Sequence, residues 1–319
     1  MTLIPTTDSF SKTARPIPVP VDSKNVGKRP NFIMFMLDQL RHDALGCTQD
    51  STGTGTKPSP IPTRNIGSFR RRGTLFTECY VQASVCAQSL CSKFTGTYPH
   101  ISCHRSLNNL TKPWEPNVLR SLKENGYHVA CLAPQGDTFA STVTEMSLNK
   151  YGFLETPDCL PGFAEPGNNS QPDADDIWGR LSTRDCDRPS RHPTMMMRDK
   201  PRVLFRPLLF PHCPFQVEEP YFSKYDRESV GSVVSTPEAK TGYEPRYMQT
   251  IRERYGTARA TDAMWREIKA TYYGMIARLD DQFGRLVKAL DDLCIWKDTV
   301  TLFFTDHGEY LGDHGLIEK

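Results

Sequence analysis

Along this chain the apolar residues fall into short unbroken runs, separated by stretches in which they recur at helical spacing. Phe32–Leu37 is one such run, closed by Asp38. A strand that is apolar on both sides needs cover on both faces, which predicts the middle of a parallel sheet. Thr299–Thr305, closed by Asp306, predicts a second buried strand of the same kind. Tyr127–Ala133 and Val203–Phe210 predict two more strands, and Leu75–Val81 a short one. Between them, Thr63–Arg72 predicts a helix with Thr63 as N-cap and Gly73 as its stop. Ser89–Phe94 predicts the opening of a helix after a tight turn, and Glu115–Asn125 a helix ended by Gly126. In Ala263–Leu293 the residues Ile276, Leu279, Phe283, Leu286, Leu290 and Leu293 recur at intervals of three and four, the stripe of a long amphipathic helix. Residues 216–262 are polar and read as loop. Strands alternating with helices predict an α/β fold with a mostly parallel central sheet and helices on both faces.

Two stretches break this rhythm. Residues 1–29 are polar and Pro-rich and read as a disordered leader before a domain over residues 30–319. Residues 155–200 are rich in Pro, Gly, Asn, Asp and Arg and read as an irregular insertion in that domain.

Composition narrows the classes. A chain of 319 residues with 38% hydrophobic content buries a sizeable core. The 39 basic and 37 acidic residues leave a net charge of +2, which gives no footing for nucleic acid or another polyanion. No apolar run is long enough to span a bilayer, so no membrane partner is expected. The leader lacks the apolar core of a signal peptide, which predicts a cytoplasmic location. The ten cysteines are scattered, without zinc-ribbon pairs, and read mostly as buried reduced thiols.

The chemistry concentrates where strands end. Ligands of open α/β sheets bind at the carboxyl ends of the strands. Two predicted strands end in an acid, and the second continues Asp306-His307-Gly308. An acid after a strand can simply cap the next turn. Two carboxylates and an imidazole at neighbouring strand ends make a cage for a divalent cation.

Four ordered segments carry a family likeness: Pro30–Gln39, Val85–His100, Pro211–Phe215 and Phe304–Lys319. Together they resemble the sulfatases of the alkaline phosphatase superfamily, and are similar also to phosphonate monoester hydrolases. The resemblance implies an alkaline-phosphatase-like (sulfatase) fold. It implies that Asp38, Asp306 and His307 ligate one divalent cation, with Ca²⁺ favoured by the hard donors and Mg²⁺ or Mn²⁺ as alternatives. Gln39 stands where many relatives have a second aspartate, and either ligates through its amide oxygen or orients a neighbour. Cys86 would be converted to formylglycine by a formylglycine-generating enzyme, supplying both the nucleophile and a metal ligand. His212 and Lys319 would contact the ester or the leaving oxygen, and Asn109 would contact the substrate. The activity implied is metal-dependent hydrolysis of a small-molecule sulfate ester, with a phosphate or phosphonate ester as the alternative substrate.

The chain departs from that pattern at stated positions. The modification signature Cys-x-Pro-x-Arg reads Cys86-Ala87-Gln88-Ser89-Leu90 here. Strand 127–133 runs into Pro134-Gln135-Gly136, where relatives place a basic residue. Relatives continue beyond the position of Lys319 into a smaller C-terminal subdomain, which is expected to be absent here. These departures leave a third reading open, a degenerate relative that keeps fold and metal but binds without turnover.

Overall fold

The computed structural model describes residues 29–48, 61–132, 138–139, 141–152, 200–234 and 244–319. The leader, nearly all of the 155–200 segment and Pro134–Gly136 lie outside the described residues. Five strands form one parallel sheet: β1 (Asn31–Leu37), β2 (His128–Leu132), β3 (Lys150–Gly152), β4 (Arg202–Leu208) and β5 (Thr299–Thr305), in the order β3-β2-β4-β1-β5. The helices α1 (Arg64–Arg70), α2 (Cys86–Thr95), α3 (Pro99–Ser102), α4 (Val118–Glu124), α5 (Ser141–Ser147), α6 (Arg246–Tyr255) and α7 (Asp262–Asp292) pack around it.

β1 shows why its apolar run is unbroken. Ile33, Phe35 and Leu37 join a core with Met275, Ile276, Leu279 and Phe283 of α7 and Ile66 of α1. Met36 belongs to a second core with Val203, Phe205, Val129, Leu90 and Phe94 of α2, and Leu119 of α4. Successive side chains of a strand point to opposite faces, so a helix layer on each face requires apolar residues at both parities.

β5 differs from its expectation. Among the described residues it is an edge strand, paired only with β1, and Val300 and Leu302 are 41% and 42% exposed. Its apolar run is covered only toward its carboxyl end, Phe303 against the first core and Phe304 against the second.

Three local expectations change as well. Residues 75–81 form no strand, and Phe76 and Tyr80 are exposed. The segment 216–262 contains α6, a helix with no buried residue that follows Pro245 and stops at Gly256 with φ +63°. Its apolar positions, Met248, Ile251 and Tyr255, do recur at helical spacing, but they are few among charged residues and none is fully buried. Thr63 precedes α1 but makes no cap bond; its Oγ1 accepts from Gly46 N at 3.1 Å instead. The capping oxygens come from α7, where Asp280 accepts from Asn65 N at 3.1 Å and Ile66 N at 2.8 Å. A carboxylate on a packed neighbour satisfies the first-turn amides as a local cap would.

The eight described cysteines are free, but only Cys47, Cys91 and Cys131 are buried, and Cys79, Cys103 and Cys294 are exposed, which corrects the expectation of mostly buried thiols. Among the described residues no helix is long and apolar enough to cross a membrane.

Candidate active site

The neighbouring strands β4, β1 and β5 end side by side, and the parallel ladder continues one step past them. Asp38 N donates to Leu208 O at 2.9 Å, and Asp306 N donates to Leu37 O at 3.2 Å. This places Asp38, 2% exposed, beside Asp306 and His307, 0% and 1% exposed. Immediately after Asp38 the chain turns sharply, with Gln39 at φ +65°. α2 begins at Cys86 and docks onto the end of β5 through a polar stripe. Ser89 Oγ donates to Asp306 O at 2.5 Å, and Lys93 Nζ donates to Thr305 O. Residues spaced by three, four or seven share a helix face, so this stripe aims Cys86 at the same strand end.

Donor atoms of Asp38, Cys86, Asp306 and His307 all lie within 4.8 Å of one another. Cys86 Sγ is 3.1 Å from His307 Nε2 and 3.7 Å from Asp38 Oδ1. His307 Nε2 is 3.2 Å from Asp306 Oδ2 and 3.5 Å from Asp38 Oδ1. Those two contacts would be ion pairs only with a protonated ring. Burial holds the His307 ring near a pKa of about 4, against the opposing pull of Asp306. Its Nδ1 faces Gly308 O at 2.9 Å and carries the ring proton there. The Nε2 lone pair therefore points at two carboxylates. Asp306 Oδ1 accepts from the backbone N of Gln39 and of His307, whereas buried Asp306 Oδ2 has no hydrogen-bond partner. Converging lone pairs with an orphaned buried oxygen fit a divalent cation, because a cation supplies what no donor supplies here.

The other wall of the site is cationic. Lys319 Nζ donates to Gln39 Oε1 at 2.9 Å, Cys86 Sγ at 2.8 Å and His212 Nε2 at 2.9 Å. Burial works against the Lys319 charge, but Cys86, Asp38 and Asp306 outweigh it and raise the pKa. His212 Nδ1 donates to Cys213 O at 2.5 Å, so its Nε2 accepts from Lys319; burial and Lys319 both hold the ring neutral. For Cys86, burial and then the Asp38 charge push the thiol well up, so Sγ keeps its proton.

Six of the residues singled out in the sequence thus meet at one place: Asp38, Cys86, Asp306, His307, His212 and Lys319. Gln39 is there too, with its amide directed at Lys319 and Glu309. Asn109 is not tied to the cluster. Its side chain donates to Ser106 Oγ at 3.2 Å, and its carbonyl holds buried His104 at 2.7 Å. Sequence reasoning missed Ser89, Lys93 and Glu309. Ser89 and Lys93 were legible as the i+3 and i+7 positions from Cys86. Glu309 sits within the Asp306 segment and lacked any periodic signal.

The sulfatase family profile matches residues 30–319, and the chain belongs to that family. It is 27% identical to the multifunctional alkaline phosphatase superfamily protein PehA of Trinickia caryophylli, over 91% of this chain and 65% of PehA. It is 25% identical to human iduronate 2-sulfatase, over 91% of this chain and 56% of that protein. The chain thus spans between half and two thirds of the length of these relatives. The fold is similar to that of the phosphonate monoester hydrolase of Agrobacterium radiobacter, with a TM-score of 0.62 at 20% identity, covering 91% of this chain and 65% of that one.

Proposed function

We propose that this chain forms the hydrolytic centre of a divalent-metal-dependent sulfate ester hydrolase whose nucleophile is carried at residue 86. One observation carries the reading: Cys86 Sγ lies between an anionic, lone-pair-rich wall and the Lys319 ammonium, 3.1 Å from His307 Nε2 and 2.8 Å from Lys319 Nζ. Asp38, Asp306 and His307 would hold the ion, with the side chain of residue 86 completing the set. The two carboxylates favour Ca²⁺, and the imidazole keeps Mg²⁺ and Mn²⁺ as alternatives. When bound, such a cation neutralises charge on the ester oxygens and lowers the pKa of an adjacent hydroxyl.

The remaining steps belong to the chain's own residues. The family resemblance points to conversion of Cys86 to formylglycine, whose hydrate would place a hydroxyl where Sγ now lies. A formylglycine-generating enzyme is then a required partner. Lys319 Nζ, 2.8 Å from Cys86 Sγ, sets positive charge beside residue 86, where negative charge grows as the ester is attacked. His212 Nε2 accepts from Lys319 Nζ at 2.9 Å and holds the ammonium where it can pass a proton to the departing alcohol oxygen.

Gln39 favours a second substrate class on the same centre, phosphate or phosphonate monoesters. A neutral amide at the position of a second acid leaves more net positive charge for a more highly charged anion.

The test is co-expression with a formylglycine-generating enzyme, mass analysis of the Cys86 peptide, and turnover of paired aryl sulfate and aryl phosphate esters with Ca²⁺, Mg²⁺ or Mn²⁺. An aldehyde at residue 86 with faster sulfate release is the expected result. Faster phosphate release selects the second class. Metal binding without turnover of either ester, in a chain carrying the aldehyde, overturns the proposal in favour of a binding-only relative.

A further inference from the structure

Glu309 is 8% exposed and faces no cation through its carboxylate hydrogen bonds. Its Oε1 accepts from Leu311 N and Glu318 N, each at 2.7 Å, and its Oε2 accepts from Gln39 Nε2. Gln39 is fully buried and its backbone is pinned on both sides. Its N donates to Asp306 Oδ1 at 2.9 Å, and its O accepts from Tyr272 Oη at 2.8 Å. The side chain has one freedom left, the direction of its terminal amide.

That direction is set by chemistry. A carboxylate only accepts, an ammonium only donates, and a primary amide has one end of each kind. With Glu309 on one side and Lys319 on the other, one orientation satisfies both: nitrogen to Glu309, oxygen to Lys319. The three protons of the Lys319 ammonium are then all assigned, to Gln39 Oε1, Cys86 Sγ and His212 Nε2. The same Glu309 oxygen that holds Leu311 N also holds Glu318 N, and so anchors the residue next to Lys319.

We infer that Glu309 is a positioning residue that fixes the hydrogen-bond polarity of the site, obliging the Gln39 amide to present an acceptor to Lys319 and so seating the ammonium beside residue 86. The role of that ammonium in turnover rests on the proposed function; its seating does not.

The experiment reads Lys319 directly. Competitive labelling with a water-soluble amine-acylating reagent, followed by peptide mass analysis, reports how firmly the ammonium is held. In E309Q the introduced amide nitrogen faces Gln39, so Gln39 must turn its oxygen away from Lys319. Loss of a hydrogen bond to a charged group predicts labelling of Lys319 about tenfold faster. Q39E alone keeps an acceptor toward Lys319 and sets two carboxylates face to face, so it predicts no faster labelling but a lowered melting temperature. Q39E combined with E309Q exchanges donor and acceptor across the pair. It presents an acceptor to Lys319 again, and labelling returns to within about twofold of the parent, the change being referred to one hydrogen bond. Melting temperatures of the four proteins run in parallel. If E309Q does not fold, recovery of the fold in the double variant over Q39E carries the same conclusion. A double variant labelled as fast as E309Q, or a Lys319 as protected in E309Q as in the parent, overturns the inference. Absence of turnover in the parent would remove the proposed function and leave this cycle intact.

Discussion

Lys319 Nζ stands 2.8 Å from Cys86 Sγ across 233 residues of sequence, and the contact joins the first turn of α2 to the segment that follows β5. Around it the site divides into two walls, carboxylates and imidazole on one side, ammonium on the other. Most variants of the site shift the balance between these walls, and that balance is measurable without any substrate.

Asp306→Asn is the first case. The introduced amide oxygen still accepts from the backbone N of Gln39 and His307, while the charge at the orphaned Oδ2 is removed. In chelator, D306N is expected to melt above the parent, because an uncompensated buried charge is gone. Calcium titration should show affinity reduced more than about a hundredfold, beyond the loss typical of a residue that only orients a ligand. The parent's melting temperature should rise with cation, by about 2.7 kcal/mol of stability at a hundredfold excess over Kd, and that of D306N should not. An equal rise in both proteins would place the cation elsewhere.

Lys93 supplies a pH signature. Burial depresses its pKa to about 8 from 10.5, against the pull of Asp306, Cys79 and Asp38. The folded state therefore binds fewer protons than the unfolded state between those values. Stability attributable to Lys93 rises as pH climbs from about 8 to 10.5, by at most about 3 kcal/mol. Tyrosines titrate in the opposite sense there, so the measurement is the difference between parent and K93M in denaturant melts at pH 7.5 to 10.5, a range taken around the linkage window. K93M should compare best with the parent near neutrality, where the parent carries the cost of a buried ammonium, and should lose ground as pH rises. A difference that is flat with pH would mean that the ammonium is solvated in the fold.

The modification signature can be restored in two separable steps. Gln88 lies in the first turn of α2, where proline is tolerated, and its side chain gives up one bond to Arg105 O at 3.0 Å. Q88P should fold and raise the aldehyde fraction at residue 86. Leu90 is 0% exposed and packs with Met36, Phe94, Leu119 and Val129. L90R puts a guanidinium among them and should cost about 3–5 kcal/mol. Arginine at 90 is thus not a simple repair in this chain. An L90R protein with an unchanged denaturation midpoint would show that a buried partner for the guanidinium exists.

Gly274 tests the far side of the fold. A methyl group there would sit 2.5 Å from Tyr221 O, a backbone atom in the segment that follows the His212 loop. G274A should lower stability by about 1–3 kcal/mol, as overpacking does. It should leave labelling of Lys319 unchanged if α7 and the site are mechanically separate, and raise it if the segment carries the shift to His212.

Much of this architecture was readable in the linear sequence because its signals were local. An apolar run closed by an acid, as at Phe32–Asp38 and Thr299–Asp306, is enough by itself to place a carboxylate at a strand end. The stripe in Ala263–Leu293 likewise needs only periodicity. What escaped depends on partners distant in sequence. Asp280 caps α1 in place of Thr63, and no local rule pairs them. α6 shows only a short apolar row, Met248, Ile251 and Tyr255, inside a polar stretch. Glu309 acquires its role only when Gln39 and Lys319 flank it. Asn109, carried over by resemblance, was drawn into its own turn by Ser106 and His104.

The marginal position of β5 has a consequence for motion. Asp38 follows a strand bonded on both sides, whereas Asp306 and His307 follow one bonded on a single side among the described residues. Edge elements open at lower free energy than interior ones. An excursion that peels β5 from β1 would carry away two of the four converging donors and the root of the Lys319 segment in one movement, leaving Asp38 behind. A cation held across that seam would act as a rivet, slowing amide exchange along β5 far more than along β1. The site would then report on the integrity of the sheet margin as much as on the ester it receives.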